Sequence, residues 1–401
     1  MTTSAEATPA RPTARRGRRA DQIAAAAGEL FRTLGYQNVG IDQIGAAVGL
    51  TGPAVYRHFK GKNAILVAAL TRQVAMVDEL AARADAEAAG PQQRFDLLLD
   101  GLGDLTAYHD EATLWRREQR HLEPAQRAVF EENFTQVTAR IAGAIRGIRP
   151  ELAADDAELL GFAVLTMYSN TSGIRGTLAP ERLRELQSAV ARAIAACELP
   201  AATEPPPPAP APRLPAGRRE RILAAATVLF DERGFYDTPI DDIAAGAEMS
   251  VSTLYQYATS KTEVLRNILH RGAEGLLYVT AEDLAAVTDS DRVLDALIAG
   301  YIRQTLGMHG RIMRILAADL LYLPAEEQTA LRETQREYVA EWAQAILAHT
   351  ADLAAEDARA LALAAIGVLT DISQHPRLRT RPGIAAKLAT IAHAAVLARL
   401  S

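Results

Sequence analysis

"IDQIGAAVGLTGPAVYRHFKGK" runs from Ile41 to Lys62. Ile41, Ile44, Ala47 and Val48 recur at helical spacing and predict the buried face of a short helix. Gly49 follows, suited to the left-handed turn that ends a helix. A second helix is expected over 52–59. Thr51 is placed to cap it, Pro53 sits in its first turn, and Leu50, Val55 and Phe59 are its buried side. That leaves Thr51, Gly52, Pro53, Ala54, Tyr56, Arg57 and His58 to face outward. A helix, a tight turn and a second helix with a bare N-terminal face is the arrangement that enters a DNA major groove. Arg57 then suits guanine or phosphate, Tyr56 suits phosphate, and Lys62 opens the next helix where charge and dipole both favour a phosphate.

The same pattern returns 199 residues later as "IDDIAAGAEMSVSTLYQYATSK", Ile240 to Lys261. Without gaps, Arg19–Leu66 matches Arg218–Leu265 at 15 of 48 positions, including Ile23, Phe31, Gly35, Ile41, Ile44, Tyr56 and Lys62. Further on, "ELAADDAELL" from Glu151 reads against "DLAAEDARAL" from Asp352, now 201 residues away. The whole half-chain is duplicated. Between the halves, "TEPPPPAPAPRLPAG" (Thr203–Gly217) cannot form helix or sheet and predicts an extended spacer of roughly 40 Å.

The second copy is edited. Ser250, Ser252, Thr253, Gln256 and Tyr257 replace Thr51, Pro53, Ala54, Arg57 and His58, while Tyr255 and Lys261 repeat Tyr56 and Lys62. Glu248 stands at the turn glycine and Ala258 at Phe59. A less firmly seated second reader is expected, since loss of a buried phenylalanine costs roughly 3 kcal/mol.

Composition narrows the class. The 401 residues are 49% hydrophobic and 23% charged, with a net charge of −6. That balance opposes indiscriminate coating of nucleic acid, yet arginines cluster locally before each motif: Arg11, Arg15, Arg16, Arg18 and Arg19, then Arg213, Arg218, Arg219 and Arg221. One cysteine, Cys197, excludes an internal disulfide and suits a cytoplasmic setting. No secretory leader and no apolar run of membrane-spanning length is present, so no membrane partner is expected. P-loop, G-x-S-x-G, H-E-x-x-H and Rossmann signatures are absent, and neither catalysis nor a cofactor is expected.

The stretches "GYQNVGIDQIGAAVGLTGPAVYRHFKGK" and "GFYDTPIDDIAAGAEMSVSTLYQYATSKTEVL" each resemble the DNA-binding domain of TetR-type transcriptional regulators, over about 60 residues per copy. The resemblance implies an all-α chain of two tandem units. Each has a three-helix helix-turn-helix domain and a roughly six-helix regulatory domain, and the units pair as an intramolecular pseudo-dimer. The expected bounds are a disordered basic arm at 1–15 and a helix-turn-helix domain at 16–76, with its motif near 40–59. A regulatory domain follows at 77–200 and a linker at 201–216. The second helix-turn-helix domain is expected at 217–275, with its motif near 239–258, and a second regulatory domain at 276–401. The implied partners are a double-stranded operator, as an imperfect palindrome, and a small effector that relieves repression. A non-catalytic scaffold or ligand-binding protein with a degenerate second motif is the alternative.

Tyr108, Trp115, Phe130, Phe134, Phe162, Met167 and Tyr168 are candidates to line an effector pocket, or simply to fill the core. Glu118 and His121 have the spacing of half a di-iron site, but "ILAADLLYL" in the second copy has no matching ligand pair, so no metal is expected.

Overall fold

The computed structural model describes residues 12–108, 114–170, 173–201, 213–350 and 352–400, so most of the basic arm and of the proline spacer lie outside the described residues. In the first half the helices are α1 (Pro12–Leu34), α2 (Ile41–Ala47), α3 (Gly52–Val55), α4 (Lys62–Glu87), α5 (Pro91–Tyr108), α6 (Leu114–Glu118), α7 (Pro124–Ile148), α8 (Ala154–Ser169) and α9 (Pro180–Ala196). In the second they are α10 (Arg218–Arg233), α11 (Ile240–Gly246), α12 (Val251–Leu254), α13 (Lys261–Ala285), α14 (Val293–Leu306), α15 (His309–Asp319), α16 (Ala325–His349), α17 (Ala355–Gln374) and α18 (Ile384–Val396). Helix α1 starts at Pro12, inside the arm expected at 1–15. Proline is at home in a first turn, and the arginines after it are good helix formers, so nothing stops the helix earlier.

Two compact units emerge. One comprises the described residues up to Met76 together with Leu114–Asn133. Here α1, α2, α3 and the start of α4 bury Ile23, Phe31, Ile44, Val55 and Leu66. Leu114 of α6 returns against Gly28 of α1. Ala47, expected inward, is exposed, while Ile41 and Val48 are only half-buried. The inward position is Gly45, where a Cβ would stand 2.8 Å from the Leu50 carbonyl oxygen. The turn folds back over α2, and only glycine leaves it room. Phe59 is likewise half-buried, not core.

The second unit holds the described residues of Val77–Thr113 and Phe134–Ser401. Its helix-turn-helix core, Ile222, Phe230, Ile243, Leu254 and Leu265, runs on without a break into Ile315 and Leu316 of α15 and Leu331 of α16. Asp231 of α10 ties the same elements together, receiving Arg314 Nε at 2.5 Å and Arg311 Nη1 at 3.1 Å. Further along the unit, α5 packs on α9 and α14 on α17 and α18. Helices α8 and α17 are buried around most of their circumference, as their nearly continuous apolar sequence requires. They pack on each other, and α9 packs on α18, so the halves share one four-helix interface.

The turn in both copies is left-handed at the same place: Gly49 has φ 67° and Glu248 has φ 53°. A side chain in that region costs about 1 kcal/mol relative to glycine. The ion pair of Glu248 with Arg221, at 4.0 Å, is too exposed to offset it. Glu248→Gly is therefore expected to slow hydrogen exchange of the α10–α12 amides by up to about fivefold, in line with roughly 1 kcal/mol. Unchanged or faster exchange would show that the turn is not strained.

Candidate nucleic-acid interface

The first motif closes through backbone bonds. Leu50 N–H donates to Gly45 O at 2.8 Å and Val55 N–H to Thr51 O at 3.2 Å. Arg19 braces the turn from outside, its Nη2 donating to Val48 O at 2.9 Å. Helix α3 is shorter than expected, ending at Val55, and a turn carries the chain to Phe59. Its exposed side presents Thr51, Pro53, Tyr56 and Arg57, with Tyr56 58% exposed, and Ala54 and His58 stand half-buried at the margin.

Gly52 does not face outward. It is buried against Asp42, whose Oδ1 would lie 2.1 Å from an added Cβ. Thr51 occupies the N-cap position but its side chain makes no capping bond.

The second motif is the better capped. Ser250 Oγ accepts from Thr253 N–H at 3.2 Å and lies 2.9 Å from both Ser252 Oγ and Thr253 Oγ1. Tyr255, Gln256 and Tyr257 are exposed beside them. Ala258 is buried within the core that includes Leu254 and Val264. Of the grounds for a looser seat, only the strained turn at Glu248 remains. Phe59 was never a full anchor, and the second reader gains a cap and the Asp231 ion pairs.

Lys62 and Lys261 both turn inward onto the loop after the first helix. Lys62 Nζ donates to Tyr36 O at 2.8 Å and sits 4.4 Å above the Tyr36 ring. Lys261 Nζ reaches three carbonyls, Phe235 O at 2.6 Å, Thr238 O at 2.9 Å and Tyr236 O at 3.3 Å, and lies 4.6 Å above the Phe235 ring. Burial lowers the pKa of both ammonium groups, with Glu118 opposing the shift at Lys62 and Asp237 and Asp319 opposing it at Lys261. With its ammonium group directed at three carbonyls, Lys261 staples the loop after the first helix.

Beneath each lysine is a buried acid: Glu118, which the sequence suggested only as half of a metal spacing, and Asp319, which sequence reasoning missed. Glu118 accepts the Tyr36 N–H at 3.3 Å, and Asp319 occupies the equivalent place 201 residues on. Beside them Tyr36 stacks on His121 at 4.9 Å, and Phe235 on Tyr322 at 5.8 Å. Glu118 and His121 therefore belong to a packed knot, and no group of metal-ligating residues occurs among the described residues. The common offset of 201 was the signal available.

The aromatic pocket set disperses. Tyr108 is 51% exposed, its hydroxyl donating to Glu181 at 3.1 Å. Tyr168 is buried, its hydroxyl donating to Leu99 O at 3.2 Å, and Met167 is buried with it. Phe162 meets Phe134 edge-on at 6.1 Å and His375 at 4.9 Å. Trp115 is half-buried. Phe130 alone of the set lines an apolar groove of about 360 Å³ between α4 and α7, with Val67, Leu70, Leu122 and Val129.

Comparison with known proteins settles the family. Bacterial regulatory proteins of the tetR family match at residues 23–69 and again at 222–268. The HTH-type transcriptional repressor KstR2 of Rhodococcus jostii (strain RHA1) is 31% identical over 138 residues, 34% of this chain and 67% of that protein. The chain belongs to the TetR family. It is a DNA-binding transcriptional regulator. The regulator is also 36% identical over 96 residues to HbdR of Aromatoleum sp. (strain CIB), covering 21% of this chain and 42% of that one. A TetR-family regulator from Bordetella parapertussis 12822 aligns over 45% of this chain and 94% of its own, at 23% identity and a TM-score of 0.42. Among the described residues no helix is long and apolar enough to cross a membrane.

The knot under Lys62 gives the first unit a pH signature. Burial, then Arg120, Lys62 and Arg127, push the His121 pKa down from 6.5 to about 4. Its folded pKa lies below the unfolded one, so the unfolded chain takes up the proton first and stability falls as pH drops from 6.5 towards 4. His121→Phe, which keeps a ring on Tyr36, is expected to flatten that fall when unfolding is followed between pH 7 and 4. An unchanged slope would place the titration elsewhere.

Proposed function

We propose that this regulator works as a covalent pseudo-dimer, one chain occupying one operator through two unlike readers and releasing it when a small effector binds. The observation that carries this reading is the four-helix contact of α8 and α9 with α17 and α18. It joins the two halves of a single chain, each half with its own helix-turn-helix. In DNA readers of this class two recognition helices address half-sites about one helical turn apart. Holding both on one chain makes their pairing intramolecular, at an effective concentration in the millimolar range. The intact turn, cap and core of the second motif support a working reader over a degenerate one. Repression is the sense we favour, because KstR2 of Rhodococcus jostii, of which the chain covers the larger share, is a repressor. The apolar groove between α4 and α7 supports a small, largely apolar effector. A cytoplasmic, non-catalytic role fits this reading.

Base recognition follows from the exposed side chains. Arg57 offers a bidentate fork to guanine, whereas Gln256 at the matching place suits adenine. The two half-sites should therefore differ in sequence while both being specified. Tyr56, Tyr255, Thr51, Ser252 and Tyr257 serve phosphates or neighbouring base edges.

A duplex selected from a random pool and titrated under light scattering should bind one chain. Two chains per minimal site would refute the covalent pseudo-dimer. On that duplex Arg57→Ala should cost roughly 1–3 kcal/mol and relax preference at one base pair, and Gln256→Ala should do so in the other half. Lys62→Met should leave the salt slope of binding unchanged while lowering the stability of the first unit. A slope reduced by about one would restore Lys62 as a phosphate contact.

A further inference from the structure

The face that joins the two halves is not self-complementary. At an offset of 201, Ala154–Asn170 aligns with Ala355–Asp371 without a gap. Asn170 and Asp371 thus hold the same place in their respective halves, and they meet, Asn170 Nδ2 donating to Asp371 Oδ2 at 3.1 Å. A residue that touches its own counterpart lies on the local two-fold axis, so the axis passes between α8 and α17 here. The second amide proton of Asn170 goes to Thr166 O at 2.8 Å, which fixes the side chain. Gly367 makes room for it, since a Cβ there would lie 2.3 Å from Asn170 Cγ. The counterpart of Gly367 in the first half is Thr166, which is fully buried.

The flanking charges are equally one-sided. Glu158 of α8 pairs with Arg381, and Arg377 lies 3.8 Å away. Its counterpart is Arg359, and the counterparts of Arg381 and Arg377 are Pro180 and Gly176. Only the acid of one ion pair is shared: Asp357 is held by Arg182 at 2.8 Å and its counterpart Asp156 by Lys387, whose own counterpart is Leu186.

Exchanging either half for a copy of the other breaks these contacts. In a first-to-first pairing Thr166 would stand where Gly367 yields to Asn170, and Glu158 would face Pro180. In a second-to-second pairing two Asp371 carboxylates, each only 5% exposed, would meet on the axis, and Arg359 would face Arg381 and Arg377. The two carboxylates, placed in a buried contact, would repel strongly, and the part-exposed arginines would add a weaker repulsion at its edge. We infer that the α8–α9 face accepts the α17–α18 face and rejects a second copy of itself. A chain bearing two identical pairing faces could link to others end to end through first-to-first and second-to-second contacts. Here repulsive elements block both routes, and the partner that fits is the chain's own other half.

This inference rests on the reading of the chain as a pseudo-dimer, and one experiment separates the two. A protease site placed in the proline spacer is cut after the intact chain has folded. Isotope-labelled and unlabelled cut preparations are then mixed, unfolded in urea, returned to buffer and weighed by native mass spectrometry. Every pair should contain one N-terminal and one C-terminal fragment, with labels scrambled between them. Asp371→Asn with Arg359→Glu should admit pairs of C-terminal fragments, and Thr166→Gly pairs of N-terminal ones. Like pairs at statistical abundance in the unaltered sequence would overturn the selectivity while leaving the pseudo-dimer standing. Fragments that drift apart at micromolar concentration as soon as the spacer is cut would remove both. The intact chain gives an independent reading if the fragments do not refold. Gly367→Ala should lower its melting temperature by several degrees, and Asn170→Ala in the same chain should restore most of the loss. Additive losses would overturn the axial contact.

Discussion

Helix α8 has scarcely any polar face, and α17 repeats that composition 201 residues later. A helix apolar on nearly every side must be covered on nearly every side. Within its own half α8 is packed by α5, α7 and α9, and α17 covers it from the other half. The rest of the second unit follows from that demand. Burying α17 places α18 against α9, and α15 against α17. The second helix-turn-helix is in turn fused to α15 and α16 through one continuous core. The regulatory halves and the second reader thus form one cooperative body, whereas the first reader forms a unit with α6 and the start of α7.

Within each helix-turn-helix the organising contact is the stapling lysine. The two copies keep it while most of their outward side chains change. A half-buried ammonium group is costly unless its protons are spent on acceptors, and the loop after the first helix supplies carbonyls for that purpose. The buried acid, Glu118 or Asp319, lies on the helix α6 or α15 that returns to cover the loop. Loop, start of the fourth helix and return helix are thereby tied at one point in each copy. A change in the position of the return helix would be felt at the loop that positions the reader.

Much of this was legible in the residues. Helical spacing, the glycine turns and the 199-residue repeat located both readers, and Tyr56, Arg57, Tyr255, Gln256 and Tyr257 are exposed as expected, on the turns that follow α3 and α12. What stayed hidden depended on partners that leave no trace in side-chain patterns. The acceptors of Lys62 and Lys261 are backbone carbonyls more than 20 residues upstream, so the lysines read as free cations. Gly52 reads as a permissive contact surface, yet Asp42 fills the space beside it. Ala47 follows the helical period, but the carbonyl of Leu50 selects Gly45 as the inward residue. The aromatic residues of the regulatory region could not be sorted into core, surface and groove, because composition does not say which helix faces which.

Duplication within one chain also changes which substitutions are tolerated. In a symmetric dimer every residue of the interface must suit both sides of the axis at once, because each change appears twice. An aspartate at the place of Asp371 would then meet itself. Once the halves are separate segments of one sequence, a change on one side can be matched by a different change on the other. Asn170 opposite Asp371, Asn170 in the space left by Gly367, and Glu158 opposite the arginines of the second half are contacts of that kind. The same release applies at the DNA end, where Arg57 and Gln256 need not read the same base. Divergence is held back only where the fold allows no substitute. The stapling lysine, the glycine after the first helix and the paired isoleucines of α2 and α11 are identical in both copies. The acid beneath the lysine changes only from glutamate to aspartate, because a buried ammonium group requires a counter-charge on either side of the duplication.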